Sequence, residues 1–173
     1  LGEIGVKELQ FLNQLGDKYN YSFLKNLYSS VLVKGMSKEL ALSLEDHCPA
    51  LLSEKREDII LVLGRKELER IEIEDLHFLD QIATDYKNSF PGSLCTAALT
   101  GKLTKEKALS FKDHCPALLG EDQDDLFKII MSKGFADIKD EDLIFLDKLA
   151  NRYESNLLVD FGTSVLAGDF SKE

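Results

Sequence analysis

Apolar residues in this chain recur at three- and four-residue intervals, the period of a helix with one buried face. Over residues 73–87, Leu76, Leu79, Ile82, Ala83 and Tyr86 fall on one stripe. Glu74 and Asp75 stand at its front, where negative charge suits the helix dipole. A second helix is predicted from Ser89, with Pro91 in its first turn, Leu94, Ala97 and Ala98 on its apolar side, and Gly101 closing it. Thr104 is the expected N-cap of a third, which carries Ala108, Leu109 and Phe111 inward. That helix must stop near His114-Cys115, because Pro116 drives the residue before it out of the helical region. A fourth is predicted from Pro116 through the acidic run Glu121 to Asp125 and on to Gly134. No alternating apolar run suggests a strand, and the short connections are those of antiparallel helix neighbours.

The pattern repeats. Asp46-His47-Cys48-Pro49-Ala50-Leu51-Leu52 returns as Asp113-His114-Cys115-Pro116-Ala117-Leu118-Leu119, 67 residues later. Residues 8–74 laid on 75–141 match at 26 of 67 positions without a gap. Tyr19, Tyr86 and Tyr153 share one register, as do Leu32, Leu99 and Leu166. The chain therefore divides into 8–74 and 75–141, a truncated third copy at 142–173, and the end of a preceding unit at 1–7. The predicted fold class is all-α: a helical-repeat array, α-solenoid-like, with about four helices per unit. In architecture alone this resembles HEAT, armadillo or tetratricopeptide arrays, whose motifs it does not carry. Both ends fall inside a unit. A fragment of a longer array is thus expected, with bare apolar ends at Leu1, Ile4, Val165 and Leu166 that pair weakly end to end.

Charge narrows the partners. A net charge of −10 and a pI near 4.8 argue against nucleic acid and against an anionic membrane surface. No apolar run approaches the roughly 18 residues of a membrane span. Three cysteines, an odd and sparse number, point to a reducing, cytoplasmic setting.

The candidate chemistry sits in the repeated corners: Asp46, His47, Cys48 and Pro49, then Asp113, His114, Cys115 and Pro116. Histidine and cysteine bind zinc, but helix neighbours point about 100° apart and cannot turn to one ion. Equivalent corners in stacked units would lie about 20 Å apart, two helix layers, too far to share one. A Cys–His pair can also be nucleophile and base, yet no orienting residue or catalytic motif accompanies it. The acidic run lacks the glycine and glutamate of a calcium loop. A structural corner is the preferred reading, with the thiol buried, the histidine at a helix end and the proline opening the next turn. No catalytic, cofactor-binding or metal residue is assigned, and no cofactor is expected. Tyr19, Tyr86 and Tyr153 are candidate surface aromatics, either packing between units or lining a groove. Positions that change character between copies, such as Gln10, His77 and Ile144, mark the solvent face. The expected function is a non-enzymatic scaffold that binds another protein. The alternatives are a metal- or thiol-dependent module using the corners, or a helical regulatory domain of a larger enzyme.

Overall fold

The computed structural model describes residues 6–19, 21–32, 36–52, 61–63, 70–86, 91–120, 123–152 and 155–168. Among these residues it is all-helical: eleven α-helices, one 3-10 turn and no strand. In the first copy they are α1 (Val6–Lys18), α2 (Tyr21–Leu32), α3 (Lys38–Leu42), α4 (Leu44–His47) and α5 (Pro49–Leu52). The second has α6 (Ile73–Asp85), α7 (Pro91–Leu99), α8 (Lys105–His114), the 3-10 turn η1 (Pro116–Leu119) and α9 (Gln123–Lys133). The third contributes α10 (Asp140–Ala150) and α11 (Ser155–Ala167). Shifting α1 by 67 lands on α6, and shifting α5 lands on η1.

Local chemistry explains these boundaries. Ser37 and Thr104 cap their helices by accepting from the amides of Leu40 and Lys107, each at 3.1 Å. The carboxylates of Asp75 and Asp142 take the amides of Glu72 and Lys139, at 2.8 and 2.9 Å, ahead of α6 and α10. Gly101, Gly134 and Gly168 end their helices at φ +73, +96 and +91°, the left-handed region that costs glycine little.

Two elements differ from the sequence expectation. The third helix of the first copy is broken at Ser43 into α3 and α4, where the second copy runs unbroken as α8. Ser43 donates its hydroxyl to Leu40 O, but Ser110 makes the same back-bond to Lys107 O within the unbroken α8, so that bond alone does not cause the break. The fourth helix does not run from Pro116 to Gly134. Leu118 and Gly120 donate to Cys115 O and Ala117 O, both at 3.0 Å, closing 3-10 turns. Gly120 is then extended and α9 starts separately at Gln123. Val165 and Leu166, expected to be bare, are instead buried on the inner side of α11. Ser89, Gly35, Gly64, Leu1, Ile4, Glu121, Asp122 and Ser171 lie outside the described residues.

The helices group into two compact units, Leu1–Thr84 and Asp85–Glu173. Each holds one Asp-His-Cys-Pro corner together with residues of the helix that opens the next copy. In the first unit, α1 packs on α2 and α3. In the second, α10 packs on α8, η1 and α11, and α9 lies along η1 and α11. Two helices approach closely at Gly162, where an added Cβ would lie 2.7 Å from Ile129 Cδ1. Leu126, Phe127, Ile129, Ile130, Leu143 and Leu146 fill this core.

Candidate functional site

The two corners are built alike. Cys48 and Cys115 cap the C-termini of α4 and α8, their amides donating to Leu44 O and Phe111 O at 2.9 Å. Both thiols are fully buried, and Cys48 Sγ lies 3.2 Å from Leu44 O as a donor. Pro49 and Pro116 then open the next turn and are exposed. The second residue of that turn would have an orphan amide, because a buried cysteine at the capping position cannot accept from it. A carboxylate 30 residues downstream does so instead. Ala50 N–H donates to Asp80 Oδ1 at 2.7 Å, and Ala117 N–H to Asp147 Oδ1 at 2.8 Å. Asp80 lies on α6 and Asp147 on α10, the first helices of the second and third copies. The corner is therefore a joint: the start of one short helix is capped from the side by the helix of the following copy.

Burial sets the reactivity of the thiols. Desolvation, helped by the negative charge of Asp80 or Asp147, pushes Cys48 and Cys115 from 9.0 to about 12. At neutral pH they are protonated, uncharged and without nucleophilic character. Alkylating reagents should therefore label them slowly in the native protein and rapidly after unfolding in urea. Since the folded value is the higher one, their contribution to stability is complete below about pH 9 and is lost as pH rises toward 12. Alkaline unfolding beginning in that window, followed by circular dichroism, is the expected result. Native labelling as fast as in urea would contradict the burial.

The other corner residues are on the surface or near it. Asp46 and Asp113 are exposed, while His47 and His114 are half-buried. The ring of His47 stands 5.6 Å from that of His77, and His114 Nε2 is 3.7 Å from Asp140 Oδ2. Asp140 is also paired with Lys107, whose ammonium holds its carboxyl below the usual range. Among the described residues no group of three or more His, Cys, Asp and Glu side chains could hold a metal ion. The corners thus bring Asp, His and Cys together along the chain but direct them apart in space. The three cysteines, Cys48, Cys95 and Cys115, are buried and are not joined in disulfides.

Tyr19 and Tyr86 are buried core residues, so of the two readings the sequence offered they pack and are not surface aromatics lining a groove. Their rings close the apolar stripe at the ends of α1 and α6. Tyr19 donates its hydroxyl to Leu42 O at 3.3 Å, and Tyr86 meets Phe127 at a centroid distance of 6.0 Å. Desolvation raises both phenols above their ordinary value. Tyr153 lies outside the described residues. Asp80 and Asp147, which complete the joints, were not among the residues the sequence singled out. A signal existed: both stand at one register, downstream of the corner by the same distance, with Asn13 in the equivalent place of the first copy.

No protein-family model, characterised protein or solved structure matches this chain. No described helix is long and apolar enough to cross a membrane.

A second feature emerges from comparing equivalent leucines. Leu9, Leu76 and Leu143 occupy one register on α1, α6 and α10. Leu76 and Leu143 are 0% exposed, whereas Leu9 is 55% exposed and Val6, one turn earlier, is 73% exposed. The leucine at this register is thus covered twice and bare once, while the position of Val6 is exposed in all three copies, as Ile73 and Asp140 are too. Gln10, Asn13 and Gln14 border the bare stripe.

Proposed function

We propose that the chain is a non-enzymatic scaffold for protein–protein interaction, made of α-helical repeats stacked as a solenoid. The observation that carries this reading is the reuse of one joint. Cys48 and Cys115, with the Ala50–Asp80 and Ala117–Asp147 bonds, make the same corner at positions 67 residues apart. A residue set spent on holding helices together twice is explained by architecture, not by chemistry. Units joined this way present long helical surfaces, the property that suits such arrays to binding extended partners. The sign-reversed ion pairs agree with it. Lys18–Glu45 and Asp85–Lys112 occupy equivalent places at 2.7 and 2.6 Å with their charges exchanged. The geometry persists while the surface chemistry changes from copy to copy.

The bare stripe of Val6 and Leu9 is the contact we assign to the partner. The test begins with affinity capture using the whole chain, then titration of the purified captured protein. The account predicts a saturable complex of fixed stoichiometry in which neither protein is chemically altered. Leu9→Asp should weaken it at least tenfold while leaving the melting temperature unchanged, because the replaced side chain already faces water. A captured protein that does not rebind when pure, or that is turned over as a substrate, would overturn the scaffold reading.

A further inference from the structure

The two joints share the alanine–aspartate bond but differ at the histidine. In the first, His47 on α4 and His77 on α6 approach to 5.6 Å between ring centroids, with planes inclined by 54°. In the second, Ile144 takes the place of His77. We propose that His47 and His77 form a two-imidazole binding site for a borderline divalent cation of the zinc class, which bridges the first corner to the helix that follows it.

The spacing carries the argument. Two imidazoles bound to one tetrahedral zinc, with Zn–N bonds of about 2.0–2.1 Å, place their ring centroids roughly 5–5.5 Å apart. The observed centroid spacing of 5.6 Å lies at the upper edge of that range. His77 is exposed and His47 half-buried, so an ion reaches both from solvent. His47 also lines an open groove of about 580 Å³ that, among the described residues, carries Glu39, Glu72 and Glu74 and one cation, Arg70. That cation is already engaged, its Nε 3.4 Å from Glu72 Oε1. The remaining negative potential favours a cation over an anion. Imidazole selects zinc-like ions over magnesium and calcium, which prefer all-oxygen sites. The two nitrogens supply half of a tetrahedral shell and water supplies the rest. Cys48 is not a ligand, because its sulfur is buried and turned to Leu44 O.

The second joint is an internal control. The full chain is titrated with Zn²⁺ in competition with a chromophoric chelator, and its melting is followed with and without the ion. The expected result is one equivalent per chain and a rise in melting temperature on loading, since an ion that binds only the folded state stabilises it. His47→Gln and His77→Gln should each weaken binding at least tenfold and abolish that rise. His114→Gln should change neither. His77 is exposed, so His77→Gln keeps the test decisive even if His47→Gln disturbs the corner. The absence of saturable uptake by the wild type would overturn the proposal. So would uptake indifferent to His77→Gln in a variant with native circular dichroism, or uptake removed by His114→Gln.

Discussion

Leu76→Ala and Leu143→Ala are each expected to cost about 2–5 kcal/mol of unfolding free energy, and Leu9→Ala less than about 0.5 kcal/mol. The three substitutions are chemically identical and sit at one register of the repeat. What differs is burial. Leu76 and Leu143 have no exposed surface, so truncation removes their transfer energy and leaves a cavity in packing that relaxes only in part. Around Leu143 the cavity would open in α10, which packs on α8, η1 and α11. Leu9 keeps more than half of its surface in water, and alanine is at least as good a helix former. Urea unfolding of the three variants measures the differences directly. Equal losses at all three positions would mean that the face of α1 is covered in solution, and the assignment of Val6 and Leu9 to a partner would fail.

Asp147→Ala is expected to cost about 1.5–3 kcal/mol, the range for a hydrogen bond to a charged acceptor. The carboxylate at this place does two things. It accepts the Ala117 amide at 2.8 Å, and it puts negative charge at the start of η1, where the backbone N–H groups are otherwise unsatisfied. Removing it leaves a part-buried donor without its acceptor, the costly half of a broken pair. Asp80→Ala should behave likewise at the first corner, through Ala50. Asn in either position should recover part of the loss, since its carbonyl can still accept while the charge is gone. Unfolding free energies indifferent to both alanine variants would show that the joints contribute nothing.

Much of this was legible in the chain. The stripe of Leu76, Leu79 and Ile82 gave α6 its buried face, and Thr104 and Pro116 set the limits of α8 as expected. Tyr86 belonged to the same stripe, so its burial could have been read from the period that placed it there. Two other features were not legible from pattern alone. The break at Ser43 and the 3-10 turn at Pro116 depend on backbone bonds of one turn, which differ little in energy from the α-helical alternative. The partner of the corner was hidden for another reason. A cap taken from a side chain 30 residues away leaves no local signature, unlike the Ser37 and Thr104 caps. The ion pairs Lys18–Glu45 and Asp85–Lys112 carried a clearer mark, an exchange of sign at two aligned positions.

The joint itself can be observed one amide at a time. Native-state hydrogen exchange, resolved by NMR at Ala50 and Ala117, reports whether each amide is held by its aspartate. The account predicts that both are protected in the wild type. Asp147→Ala should speed exchange at Ala117 at least tenfold and leave Ala50 unchanged, and Asp80→Ala should do the reverse. Ala50 and Ala117 amides that exchange freely in the wild type, or that ignore the loss of their own aspartate, would contradict it.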